Sequence, residues 1–125
     1  MLAYAYVMIG GALGSAARYW LASVVADWTG PRFPWGTLLI NVLGSFVIGW
    51  FGALSAAGGR FIGSHEARAL VMVGICGGFT TFSSFSLQTL ALIEDGRLGW
   101  AGFYIAGSVL LCLLGVWAGT ELVRA

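Results

Sequence analysis

The chain of 125 residues is 59% hydrophobic and 9% charged, with a mean hydropathy of +0.91 and a formal net charge of +1. Because soluble domains carry about 25% charged residues, this composition indicates an integral membrane protein. The near-neutral charge offers no basic surface for nucleic acid, and we expect no such partner.

Four long apolar segments account for nearly the whole sequence. We predict membrane spans at about 4–26, 35–57, 67–93 and 98–121, each long enough for the roughly 20 residues that cross a bilayer as a helix. Residues 1–125 then form a single all-α membrane domain with short connections. No basic segment precedes the first span, so we expect that span to remain in the mature protein.

The first span combines small residues with one charge. Gly10 and Gly14 have the GxxxG spacing that lets two helices approach closely in lipid, although this spacing is common. Arg18 lies near the far end of the span. Its guanidinium either reaches the lipid headgroups or lines a wet vestibule, where it would raise the local concentration of an anion.

The second span is predicted to begin near Trp35, because Pro31 and Pro34 interrupt the backbone before it. Within this span one polar residue recurs every four positions, which places a polar stripe on one helical face. The stripe consists of Thr37, Asn41 and Ser45. The Asn41 amide can donate a hydrogen bond to an anion or accept one from a neighbouring helix.

The third span is predicted to break near its middle, where Gly77 and Gly78 interrupt an apolar helix. Irregular backbone at membrane depth is tolerated only where it is buried in protein or lines a cavity. Carbonyls freed near residues 77–80 could hold a cation. Beyond the break, helical periodicity predicts an aromatic face beside a polar face. The aromatic face contains Phe82 and Phe85, and the polar face contains Thr81, Ser84 and Gln88.

The fourth span follows a predicted tight turn at residues 94–97, with Gly96 in the left-handed conformation. A second GxxxG pair, Gly115 and Gly119, lies in this span. Its polar positions recur every four residues at Tyr104, Ser108 and Cys112. We expect these side chains to meet the polar stripes of the second and third spans. Both cysteines of the chain lie inside predicted spans and are interpreted as buried, inert thiols.

The arginines do not favour one orientation in the membrane. With four spans, one side of the membrane carries Arg60, Arg68 and Arg124, and the other carries Arg18, Arg32 and Arg97. Because Lys/Arg asymmetry sets the topology of membrane proteins, this balance predicts insertion in both orientations. An antiparallel homodimer then becomes possible.

The ionisable groups restrict the chemistry. All five acids lie at predicted span ends, at Asp27, Glu66, Glu94, Asp95 and Glu121. Proton-coupled transport usually needs an acid or a histidine within the membrane, and no catalytic or metal motif is present. We therefore expect a non-enzymatic protein. Its neutral, donor-rich, aromatic path suits a small anion, because hydroxyl and amide donors can replace water around the ion.

Two strings of residues closely resemble the Fluc (CrcB-like) fluoride channel family. They are GTLLINVLG at residues 36–44 and GGFTTFSSFS at residues 77–86. The similarity extends over nearly the whole chain. It implies a passive fluoride-selective channel in the cell inner (plasma) membrane that lets fluoride leave the cytoplasm. It further implies an antiparallel, dual-topology homodimer of four-helix subunits, with two pores at the interface.

The resemblance also implies roles for particular residues. Asn41 would be the key donor of the anion pore, Phe82 and Phe85 its aromatic box, and Tyr104 and Ser108 its lining from the fourth span. The hydroxyls of Thr37, Thr81 and Ser84 lie on the same predicted path. Arg18 matches a vestibule arginine. A structural sodium ion would be held by the main-chain carbonyls of Gly77 and Thr80 from both subunits, with no organic cofactor.

One position departs from the family pattern, and two other functions remain open. Gln88 stands where the family commonly has an acid, which leaves the hydrogen bonding beside the phenylalanines undetermined. A small dual-topology, proton-coupled drug exporter is one alternative, but it normally needs an acid in its first span. A membrane assembly subunit that transports nothing and only packs through its GxxxG faces is the other.

Overall fold

The structure is a computed structural model that describes residues 1–58 and 62–125, and these residues form four long helical segments with no β-strand. They are α1 (Leu2–Thr29), α2 (Trp35–Ala57), α3 (His65–Glu94, interrupted once) and α4 (Leu98–Arg124). Each predicted span falls within one of these helices. Arg60 lies outside the described residues, so its place in the charge balance stays a prediction.

Three of the four helices are long and apolar enough to cross a bilayer, namely α2, α3 and α4. This confirms an all-helical, multi-pass membrane protein. The α1 helix has 28 residues but does not meet the same measure of apolar character. The count of four spans therefore stays a prediction.

The predicted turn chemistry is found at both described connections. The α1 helix ends at Gly30, whose φ of 79° is left-handed, and α2 begins directly after Pro34. Between α3 and α4, Gly96 has a φ of 76°, as predicted. Such a φ is readily adopted by glycine, since it has no Cβ. The two connections lie at the same end of the bundle, where both border one cavity.

The two GxxxG pairs allow close helix packing, as predicted. On α1, a Cβ at Gly10 or Gly14 would overlap the backbone of the first half of α3. On α4, a Cβ at Gly119 would overlap the Phe46 carbonyl of α2. The bundle thus consists of two close pairs, α1 with α3 and α2 with α4. A buried cluster that includes Phe33, Leu92 and Tyr104 fills the end near the two connections.

The α3 helix is interrupted two residues later than predicted. Residues Ala69–Cys76 form the wide turns of a π-helix, and Gly77–Phe79 continue as a short α-helical turn. Thr80 and Thr81 are extended, with ψ of 158° and 118°, and the helix resumes at Phe82. The prediction that Gly77 and Gly78 themselves break the helix is therefore wrong.

Close packing explains why glycine occupies position 78 inside a helix. A Cβ at Gly78 would lie 2.6 Å from the Gly11 carbonyl oxygen of α1. Real Cβ atoms do not approach a backbone oxygen so closely, so only glycine fits. The role of Gly78 is to let α1 approach α3 just before the interruption. The interruption itself is stabilised by side chains from other helices.

Candidate functional site

The interruption of α3 is held by Asn41 from the middle of α2. The backbone N–H of Thr81 donates to Asn41 Oδ1 at 2.8 Å, and Asn41 Nδ2 donates to the Thr81 carbonyl at 3.1 Å. One side-chain amide thus satisfies both backbone groups of an extended residue that lacks helical partners. Asn41 Nδ2 carries a second N–H, which remains available to a ligand.

Two further side chains satisfy carbonyls around the interruption. Arg18 Nε of α1 donates to the Gly78 carbonyl at 3.1 Å, and Thr80 Oγ1 donates to the Cys76 carbonyl at 2.9 Å. Arg18 is half-buried and lines neither of the two cavities described below. It therefore ties α1 to α3 within the subunit, in addition to any vestibule role.

Two other carbonyls lose the donors that a continuous helix would provide. In an α-helix each N–H donates to the carbonyl four residues earlier. The Thr81 N–H, which would serve Gly77, instead donates to Asn41. The Ser84 N–H, which would serve Thr80, instead donates to Thr81 Oγ1 at 3.2 Å as an N-cap. The carbonyls of Gly77 and Thr80 thus lack these helical donors, and they are the two carbonyls predicted to hold a sodium ion.

Polar side chains from three helices meet in a first cavity of about 430 Å³. Asn41 and Ser45 enter it from α2, and Ser108 and Cys112 enter it from α4. The residues that line it from α3 are Met72, Cys76, Gly77, Thr80, Thr81, Phe82 and Phe85. None of the described residues in its lining is charged. The predicted polar stripes of α2 and α4 therefore converge on the interruption of α3.

Three side chains of this cavity, one hydroxyl and two aromatic rings, are placed to meet a ligand. The Ser108 hydroxyl is buried, with 7% of the residue exposed, and has no hydrogen-bond partner. A buried hydroxyl without a partner costs about 1–3 kcal/mol unless something else bonds to it. The Phe82 and Phe85 rings lie with centroids 5.4 Å apart. Phe85 is half-buried, whereas Phe82 is 78% exposed on the subunit surface.

Tyr104 is fully buried and packs against Phe85, which lines the first cavity. Its hydroxyl donates to Gln88 Oε1 at 2.8 Å, and its ring centroid lies 4.9 Å from that of Phe85. Gln88 therefore takes part in the polar path as an uncharged acceptor. This contact could have been anticipated only in part, from the place of Gln88 on the polar face of α3.

The structure separates the other predicted pore residues. Thr37 and Gln88 line a second cavity beyond Tyr104, whereas Thr81 lines the first. Ser84 lines neither cavity, and only its backbone N–H takes part, in the cap of α3. The hydroxyl periodicity identified the correct face of α3, but it could not tell which hydroxyl side chains reach the cavity.

Main-chain oxygen atoms are the candidate metal ligands of the first cavity. Among the described residues, no group of three or more His, Cys, Asp or Glu side chains could hold a metal ion. The Gly77 and Thr80 residues that line the first cavity instead offer carbonyl oxygens, which suit a hard cation. Cys76 is buried and Cys112 is half-buried, and both border the same cavity. The periodicity of α4 anticipated this place for Cys112, whereas no sequence pattern identified it for Cys76.

Comparison with known proteins identifies one matching family and several similar proteins. The sequence model of the family described as "CrcB-like protein, Camphor Resistance (CrcB)" matches residues 5–120. A protein of Methylocella silvestris named "Fluoride-specific ion channel FluC" is 60% identical over 93% of this chain and 88% of its own length. Proteins with the same name from Paramagnetospirillum magneticum and Opitutus terrae are 56% and 54% identical, each over 95% of this chain and over 93% and 90% of their own lengths.

Proposed function

The chain belongs to the CrcB-like family, and from that premise we propose that it is a passive fluoride channel of the cytoplasmic membrane. The relatives that cover most of the chain are named fluoride-specific ion channels, which are a non-enzymatic class. The three apolar helices agree with a multi-pass membrane protein. Fluoride is then the transported ion, and the lipid bilayer is the surrounding medium.

The observation that carries the proposal is the lining of the first cavity. The free Asn41 N–H and the unpartnered Ser108 hydroxyl provide two neutral donors. The Phe82 and Phe85 rings border the same space, and a ring edge is the positive end of the aromatic quadrupole. Neutral donors and ring edges attract an anion weakly at each point. Weak attraction suits conduction, because the ion must also leave.

The direction of flow follows from the membrane potential. One elementary charge gains about 2.3 kcal/mol for each 100 mV that it crosses. A passive path would therefore let fluoride leave a cell whose interior is negative. None of the described residues that line the first cavity is acidic. This lining supports passive conduction and gives no support to a proton-coupled exporter.

A second copy of the chain would complete the channel in this proposal. Phe82, 78% exposed on one subunit, would be covered by an antiparallel partner, and two pores would form at the interface. The balance of arginines between the two sides supports insertion in both orientations. A non-transporting assembly subunit would also pack through helix faces. It would not need a donor-lined cavity.

The proposal includes a structural sodium ion on the axis that relates the two subunits. The carbonyls of Gly77 and Thr80 lack their helical donors, so they can turn toward a cation. Two carbonyls from each subunit would give a set of oxygen ligands, and the ion would join the two interruptions. The ion would contribute dimer stability and no chemical step.

The sodium ion can be tested through the dimer. The purified protein is held in detergent with sodium, or with N-methylglucamine at equal ionic strength, and its dimer fraction is measured during dilution. The proposal predicts that sodium slows dissociation. Equal dissociation in both salts would contradict the central ion and leave the anion path as proposed.

Transport is tested by the current through planar bilayers. The proposal predicts a fluoride current whose reversal potential follows the fluoride gradient and is unchanged by a pH gradient of two units across the bilayer. A reversal potential that moves with the proton gradient would favour the exporter. No current from the purified chain would favour the assembly subunit.

A further inference from the structure

A second cavity lies at the end of the bundle where α1 joins α2 and α3 joins α4. Its volume is about 530 Å³. Its lining includes buried Thr37 and half-buried Gln88. The lining also carries three charged side chains, Arg32 and Arg97 with Asp95. This cavity therefore differs from the first, which has no charged lining.

Tyr104 lines neither cavity but packs between residues of both. The Tyr104 ring contacts Phe85, which lines the first cavity, and Phe33, which lines the second, with centroids 4.9 and 5.3 Å away. Its hydroxyl bonds to Gln88, which lines the second cavity. Tyr104 thus connects the lining of the neutral cavity, through a ring contact, with that of the charged cavity, through a ring contact and a hydrogen bond.

The position of Arg97 is fixed by three contacts. Its Nη1 donates to the Arg32 carbonyl, and its guanidinium lies 5.7 Å from the centroid of the Trp100 ring. Its backbone N–H donates to the Leu92 carbonyl at 2.9 Å. A cation over an aromatic face is held by the ring quadrupole. Arg97 is half-buried, whereas Arg32 and Asp95 are exposed, so Arg97 is the most constrained charge of this cavity.

The charge of Arg97 is not neutralised by a direct ion pair. Within residues 1–58 and 62–125, the one ion pair joins Arg124 to Glu121, at the other end of α4. The three charges of the second cavity sum to one positive charge, from two arginines and one aspartate. The summed charge of a protein surface sets its local potential, so a lining with a net positive charge attracts anions.

We propose that the second cavity is an entrance for small anions, and that Arg97 is its attracting charge. This inference rests on the proposed channel function and adds a recognition site to it. Asp95 borders the same space with the opposite sign, so it lowers the attraction that Arg97 produces. Entry is therefore set by a balance of two charges, and each can be removed separately.

The dependence of the current on ionic strength shows whether Arg97 attracts anions through its charge or only stabilises the fold. The Debye length is about 10 Å at 0.1 M salt and about 3 Å at 1 M, so charges lining the cavity act on an ion inside it only at the lower concentration. Single-channel current is measured at a fixed, subsaturating fluoride concentration, with ionic strength adjusted by an impermeant anion. Current through one channel is independent of the amount of folded protein.

Two isosteric or near-isosteric changes should act in opposite directions. At 0.1 M, Arg97→Gln should lower the current about twofold and Asp95→Asn should raise it by a similar factor. At 1 M both variants should match the wild type. Arg97→Lys keeps the charge and should retain most of the current. Arg124→Gln is the matched control, because Arg124 lines neither cavity, and it should change nothing at either concentration.

Other outcomes overturn the inference in distinguishable ways. If both variants lower the current, or if their effects persist at 1 M, Arg97 acts through the fold and the entrance is wrong, while the channel stands. If Arg97→Gln does not fold, the test rests on Asp95→Asn. A current of Asp95→Asn at 0.1 M that is no larger than that of the wild type overturns the inference. If the wild type carries no fluoride current, the channel and its entrance are both wrong.

Discussion

Substitution of Asn41 by alanine should destabilise the subunit as well as stop transport. The change removes both hydrogen bonds to Thr81, at 2.8 and 3.1 Å, and leaves one backbone N–H and one carbonyl without partners. Each unsatisfied group costs about 1–3 kcal/mol. Because Thr81 is half-buried and borders a cavity that water can enter, we expect a total loss of about 2–4 kcal/mol.

Thermal unfolding of the purified protein in detergent measures this loss. At about 4 °C for each kcal/mol, the apparent Tm of Asn41→Ala should fall by roughly 8–15 °C. Asn41→Asp keeps the acceptor for the Thr81 N–H but loses the donor to the Thr81 carbonyl. Its apparent Tm should therefore fall about half as far as that of Asn41→Ala. Its carboxylate should also repel an anion from the first cavity and abolish fluoride flux.

Ser45→Ala is the matched control for Asn41. Ser45 lies one turn further along the same face of α2 and lines the same cavity. Within the described residues it makes no side-chain hydrogen bond, so its removal should leave Tm unchanged. A Tm of Asn41→Ala within 2 °C of the wild type would refute the reasoning, because the clamp on the interruption would then contribute nothing.

Three other predictions address packing, the aromatic pair and the path beyond it. Gly14→Ala should greatly reduce folded protein on size exclusion, because its Cβ would overlap α3, whereas Gly11→Ala, with no atom within 4 Å of the new Cβ, should fold normally. Phe82→Ala should abolish fluoride efflux from liposomes and leave the helix content by circular dichroism unchanged, since Phe82 is mostly exposed on the subunit. Efflux equal to that of the wild type would show that Phe82 does not line the path. Tyr104→Phe removes the hydrogen bond to Gln88 and should lower the free energy of unfolding by about 1 kcal/mol. The same loss should lower fluoride flux several-fold. Unchanged flux would show that this bond is not needed for transport.

Features set by local chemistry were predictable from the sequence. Gly96 follows a helix and precedes another, and it adopts the left-handed φ expected of a glycine at a helix end. Gly10 and Gly14 recur at the spacing of one helical face, and that face packs on α3. Two polar residues of α2, Asn41 and Ser45, and two of α4, Ser108 and Cys112, recur four positions apart and meet in one cavity. Periodicity alone is sufficient for such predictions.

The interruption of α3 shows where local reasoning is insufficient. Two glycines predicted a break at positions 77 and 78, yet both residues are helical. The extended residues are Thr80 and Thr81, and Thr81 is paired with Asn41, 40 positions earlier in the chain. Which backbone groups leave the helix thus depends on which distant side chains can bond to them. No local pattern in α3 encodes that choice.

The charged cavity was equally inaccessible to sequence reasoning. From the sequence, Arg32 and Arg97 contributed only to the count of arginines on each side of the membrane. Their proximity depends on the packing of α2 against α4, which brings two connections 65 residues apart to one end of the bundle. Charge counts assign arginines to a side, whereas three-dimensional packing determines which of them border the same space.

Release of fluoride from liposomes that contain only the purified chain tests the central claim most directly. Liposomes loaded with fluoride or with chloride are diluted into an impermeant salt, valinomycin is added to carry potassium, and an ion-selective electrode records the released anion. The account predicts rapid release of fluoride and retention of chloride. Retention of both anions, or their release at equal rates, would contradict a fluoride-selective path.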